Sequence, residues 1–210
     1  MPRGSEELTN ARKEEIIRAC ASLYETMSFK DITIKEIGAV TSFTRTSIYN
    51  YFQTKEEIFL ALFQQEYEKW ITDLEELAAN HEALTNDELA QELARSLEKR
   101  VLLLKLLSMN PYDMEENSRM ERLVEFKAAY GNSVQAVARL LEKFRPQMGP
   151  AGRQQFLYTF FPFMYGIYPY AVVTDKQREA MKEAGTDFVY MSVYDMAYIG
   201  IKRLLVGGQS

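Results

Sequence analysis

Apolar residues recur at helical spacing along almost the whole chain, and no stretch sustains the every-second-residue alternation of a half-buried strand. In the first such segment Ile16, Cys20, Leu23 and Met27 share one stripe, with Ile17 and Tyr24 beside it. A chain patterned this way buries its apolar surface by packing helix on helix. Thr33-x-x-Glu36, Thr54-x-x-Glu57 and Thr85-x-x-Glu88 mark helix starts, because hydroxyl and carboxylate at that spacing satisfy N–H groups left free in a first turn. Stops fall at Asn110-Pro111, at Arg145-Pro146 and from Gly149-Pro150 to Gly152, since proline cannot extend the hydrogen-bond ladder. The pattern predicts an all-α fold of about nine or ten helices, three of them short and packed between residues 10 and 52. Gly185-Thr186-Asp187 opens the last, which runs from Thr186 to Leu205.

Gln154 to Thr174 holds no charged residue over 21 positions, the length of a membrane span. Two prolines, a glycine, two glutamines and four tyrosines interrupt it, and no basic flank orients it. It reads as a helix buried in a protein interior or a subunit interface, and no membrane partner is expected. The single cysteine, Cys20, cannot form an internal disulfide, and the first residues lack a signal peptide's apolar stretch, so the chain is expected in the reducing cytoplasm.

The segment from Phe29 to Glu57 carries the most information. Thr33 caps a helix from Ile34 to Val40, Thr41-Ser42-Phe43 makes a tight turn, and Thr44 caps a second helix reaching Phe52. Two short helices joined so closely form a helix-turn-helix, which can present its second member to a major groove. Ile34, Ile37, Phe43 and Ile48 would form the shared core, leaving Arg45, Thr46, Ser47, Tyr49 and Asn50 as a polar face. Arginine offers a planar fork to guanine, hydroxyls bond bases or phosphates, and a tyrosine hydroxyl can anchor a phosphate. Lys55 adds a cation at the next helix N-terminus, and Thr33 is a further phosphate candidate. A tight αα-turn also serves as plain architecture, so on spacing alone both readings stand.

The stretch from Lys13 to Phe59 resembles, without a gap, the DNA-binding domain of the tetracycline-repressor (TetR) family of bacterial regulators. The matching residues are Ile16, Ala19, Leu23, Tyr24 and Phe29, then Thr33-Ile34-x-x-Ile37, and above all Ser47-Ile48-Tyr49-Asn50-Tyr51-Phe52-x-x-Lys55-Glu56-Glu57-Ile58. Where that family commonly has glycine, this chain has Ser28 and Ser42, and a positive φ at either would cost about 1 kcal/mol. The resemblance implies a DNA-binding domain over residues 1–54 and a helical ligand-binding and dimerisation domain over 55–210. It further implies a homodimeric transcriptional regulator, in most such proteins a repressor, that binds a palindromic double-stranded DNA operator and is released by a small-molecule inducer. The dimer interface would be built from the last helix and the one holding Phe160 and Met164. Aromatic and methionine side chains make Met109, Phe126, Tyr130, Phe160, Met164 and Tyr168 the candidate ligand-binding residues, although such a stripe also serves as ordinary core.

Net charge is −5, which speaks against nucleic acid until it is divided. Residues 1–55 hold eight Lys/Arg against seven Asp/Glu, and the remainder 17 against 23, so the acidity belongs to the body. No phosphate-binding glycine loop, zinc-binding His pair or nucleophile elbow is present, and His81 lies in a linker without a clustered partner. No enzymatic activity, cofactor or metal is expected. The rival reading is a helical small-molecule or protein-binding adapter without sequence-specific DNA binding.

Overall fold

The structure, a computed structural model, describes residues 3–109 and 111–207; the stop expected at Asn110 falls outside them. In chain order the helices are α1 (Arg3–Thr26), α2 (Ile34–Ala39), α3 (Arg45–Ile48), α4 (Lys55–Asn80), α5 (Asn86–Lys99), α6 (Val101–Leu107), α7 (Pro111–Glu116), α8 (Met120–Phe144), α9 (Pro150–Ala171), α10 (Asp175–Glu183) and α11 (Val193–Gly207). The described residues are thus all-α, with eleven helices.

Three expectations are corrected. The first helix is not short, because nothing between Arg3 and Thr26 breaks the ladder. The second helix of the helix-turn-helix ends at Ile48, not Phe52. Beyond it the backbone turns tightly, with Asn50 N–H bonded to Ser47 O and Tyr51 N–H to Ile48 O, because Phe52 must bury its ring before Thr54 caps α4. Gly185 closes a helix instead of opening one. Its φ of +63° and the bonds Gly185 N–H to Lys182 O and Thr186 N–H to Met181 O terminate α10, and α11 begins only after Ser192, whose hydroxyl accepts from Asp195 N–H.

By packing the chain forms two compact units. The first joins the described residues through Gln65 with those from 111 to Ala129; the second holds Glu66–Met109 and the described residues from Tyr130 onward. Residues 55–65 and 111–129 thus fall within the first unit. The core of the first unit contains Ile16, Cys20, Ile37, Ile48, Phe52 and Ile58, with Phe59 flanked edge-on by Tyr24 and Phe29.

In the second unit Trp70 is fully buried against Phe160 and Phe161, and its indole N–H donates to Ser96 Oγ at 3.0 Å. α11 packs on α5 and α9. At Gly200 that approach leaves room for hydrogen only, since a Cβ would stand 2.5 Å from Phe163 Cζ. The uncharged stretch becomes α9, burying Phe156, Phe160, Phe161, Met164 and Ile167 on one side. Among the described residues no single helix is long and apolar enough to cross a membrane.

Candidate functional site

The helix-turn-helix is fixed at each joint by a side chain. Thr33 caps α2, its oxygen accepting from Lys35 N–H at 3.2 Å and from Glu36 N–H at 3.5 Å, while its hydroxyl engages the Glu36 carboxylate. Thr44 caps α3 by accepting from Ser47 N–H at 3.3 Å. Between them Ser42 N–H donates to Glu15 Oε1 of α1 at 2.6 Å, which ties the turn to the first helix. That bond, with one from the Ser42 hydroxyl, holds the Glu15 carboxyl below its ordinary range. No described non-glycine residue has positive φ, so Ser28 and Ser42 carry no left-handed strain. α2 and α3 approach closely at Gly38, where a Cβ would lie 3.5 Å from Arg45 Cα.

This arrangement leaves Thr44, Arg45, Thr46, Tyr49 and Asn50 exposed, Ser47 half-buried, and Ile48 fully buried beneath them. Arg45 Nη2 donates to Tyr49 Oη at 3.2 Å, and its guanidinium lies 5.9 Å from the Tyr49 ring, so the two present one surface. Phe43 is not in the shared core as expected. It is half-buried with the Arg12 guanidinium 5.9 Å from its ring, because it sits in the turn and not on the inward face of α3. Thr33 is exposed at the start of α2. Lys55 is half-buried, donates from Nζ to Phe29 O at 2.7 Å and stands 4.2 Å from the Phe29 ring centre.

Sequence reasoning missed the residues that brace this face. Arg12 Nη1 donates to Tyr51 Oη at 3.1 Å. Glu57, read as part of a capping box and of the matching motif, is 0% exposed and accepts from Gln53 N–H at 2.8 Å. It also receives Arg119 as a fork, Nε to Oε1 at 2.6 Å and Nη2 to Oε2 at 2.8 Å, together with Arg119 N–H at 3.1 Å. Burial pushes the Glu57 carboxyl up, but these hydrogen bonds and the arginine charge outweigh it and hold the group below its ordinary value. The capping spacing signalled Glu57; nothing in the sequence signalled a partner 62 positions later.

Five of the six candidate ligand residues lie in the second unit. Phe160 and Met164 are fully buried, Tyr130 packs edge-on against Phe161, and Tyr168 and Met109 are half-buried. Burial raises the Tyr168 phenol. Phe126 lies in the first unit against Phe63, 4.9 Å between ring centres. None of the six lines a surface cavity of about 460 Å³ formed at the end of α9 by Tyr170, Val173, Gln177, Met181, Phe188 and Tyr190. Its walls are largely apolar, with tyrosine hydroxyls and one amide as polar points, the make-up of a small-molecule site. The outer faces of α9 and α11 expose Tyr158, Tyr165, Ile199 and Val206.

Two family models match the chain: "Bacterial regulatory proteins, tetR family" over residues 16–62, and "Tetracyclin repressor-like, C-terminal domain" over residues 64–191. No curated protein matches it. Among solved structures it is similar to the fatty acid degradation regulator FadR from Bacillus halodurans, with 14% identity, coverage of 92% of this chain and 98% of that one, and a TM-score of 0.61. It is also similar to Thermus thermophilus FadR, a TetR family transcriptional repressor in complex with lauroyl-CoA, with 20% identity, coverage of 94% and 95%, and a TM-score of 0.58. A third is the MbdR regulator from Azoarcus sp. CIB, with 20% identity, coverage of 92% and 97%, and a TM-score of 0.52. At these identities the likeness carries the fold.

Proposed function

This chain belongs to the TetR family of transcriptional regulators, DNA-binding and ligand-responsive as a class, and from that premise we propose that it is a cytoplasmic repressor acting as a homodimer on a palindromic operator. The observation that carries the reading is the exposed Arg45–Asn50 face, held out from a capped and buried helix-turn-helix. Residues 1–54 read DNA and residues 55–210 sense a ligand and dimerise. Arg45 reads a base edge; Tyr49, Thr33 and Lys55 hold phosphates; Thr44, Thr46, Ser47 and Asn50 divide between the two tasks. Lys55 keeps two ammonium protons for phosphate after the one given to Phe29 O.

Two copies meet through the outer faces of α9 and α11, which places the recognition helices about 34–36 Å apart or at a multiple of that spacing. The ligand is a small molecule with a sizeable apolar part, in keeping with the apolar interior around Trp70 and Phe160 and with the lauroyl-CoA bound by one structural neighbour. It acts by preferring the conformation whose recognition helices are misplaced, and a coupling of about 1–3 kcal/mol changes operator affinity some 5–150-fold. No chemistry is done on it, so it is recovered unchanged. Selection of bound duplexes from a random pool tests the proposal. Enrichment of a palindrome is expected; weak, salt-erased binding without a common sequence would overturn it in favour of the adapter.

A further inference from the structure

The seven residues from Tyr51 to Glu57 run from the turn after α3, the recognition helix, into the first turn of α4, and the segment Asn117–Arg122 holds them at four points within the first unit. Thr54 Oγ1 donates to Asn117 O at 2.9 Å, and Arg119 Nη2 reaches Tyr51 O at 3.5 Å. The Arg122 guanidinium lies 5.8 Å from the centre of the Phe52 ring. The fourth and strongest point is the two-pronged pair of Arg119 with the fully buried Glu57. A single hydrogen bond fixes a distance, whereas a planar guanidinium seated on both carboxylate oxygens also fixes an orientation. The same carboxylate holds Gln53 N–H, so the path of the backbone leaving the recognition helix is set from both ends. Phe52 and Ile48 are buried within that path, and Arg45 lies one helical turn before Ile48.

We infer that Glu57 and Arg119 are positioning residues for operator reading: their forked pair sets the angle at which Arg45 and Tyr49 are presented, without touching DNA. The inference rests on the reading of Arg45–Asn50 as the DNA face. It also makes the residues just before α8 the grip on that segment.

The test compares wild type, Glu57→Gln and Arg119→Lys on two duplexes, the palindrome enriched by the wild-type protein and a scrambled sequence of equal length, at one salt concentration. Glu57→Gln keeps the volume and an acceptor for Gln53 N–H; Arg119→Lys keeps the charge and loses the fork. Operator affinity is expected to fall about tenfold or more, and affinity for the scrambled duplex clearly less with its salt dependence unchanged, because the same cations remain and phosphate contacts carry no sequence information.

A second readout does not depend on DNA. Nitroxide labels at Thr46→Cys and Glu121→Cys, in labelled protein diluted with unlabelled, report the distance from recognition helix to α8; Cys20, fully buried with its thiol pushed up to about 12, stays unlabelled. The distance distribution is expected to broaden or shift in both variants. An equal loss on both duplexes, an unchanged operator affinity or an unchanged distance distribution would each overturn the inference. If the wild-type protein enriches no palindrome, the DNA-reading premise falls, and the label distances still decide whether the pair sets the angle.

Discussion

Arg45 and Lys55 illustrate how two cations on one small module can have different jobs. Arg45 is exposed and backed by Tyr49, so its fork is available to a base edge. Arg45→Ala is expected to cost about 1–3 kcal/mol in operator binding and to relax the preference at one base pair, read by affinity across single-base variants of the site. Lys55 is partly engaged by Phe29, so Lys55→Ala should weaken all duplexes alike and lower the salt slope by about 1, while also lowering the melting temperature. Glu57 adds a pH signature. Its carboxyl is held below the ordinary 4.5 in the folded chain, so the stabilisation it gives is complete above that value and is lost as pH falls through the lower folded value. The stability gap between wild type and Glu57→Gln, measured by urea denaturation, should be wide at pH 7 and shrink steadily below pH 4.

Elements were legible where a side-chain cap starts a helix. Thr33, Thr44 and Thr85 all cap helices, and Thr85 with Glu88 forms the complete reciprocal box that its spacing announces. Gly185 carries the same turn signal whether it ends one helix or precedes another, and only the bonds back to Lys182 and Met181 decide. α3 is cut to four residues because Phe52 has to enter the core, a demand that helical periodicity does not record. α11 passes Phe163 of α9 at Gly200, where a Cβ would stand 2.5 Å from the far end of the ring. Gly200→Ala should destabilise the protein by about 1–3 kcal/mol through overpacking against Phe163, and Phe163→Leu in the same background should recover part of the loss in chemical denaturation.

At the scale of the whole molecule the proposed dimer explains large apolar side chains left in solvent. Tyr158 on α9 is 74% exposed, and Ile199 and Val206 on α11 are exposed with it. Tyr158→Glu combined with Ile199→Glu should yield monomers in sedimentation velocity and weaken operator binding at least about 100-fold, since the second half-site is then no longer bound intramolecularly. The overall charge of −5 is compatible with DNA binding because residues 1–55 carry a slight positive balance and the acidity lies beyond them.

By itself the sequence determined an all-α chain, the caps that start its helices, the face from Thr44 to Asn50 and the family it resembles, because each depends on residues within a few positions of one another. The tertiary structure alone decided that Glu57 meets Arg119, that Lys55 bonds the Phe29 carbonyl 26 residues earlier, and that a surface cavity forms at the end of α9 between Tyr170, Met181 and Phe188. Those pairings depend on how helices far apart in sequence come together, and no short-range spacing encodes that.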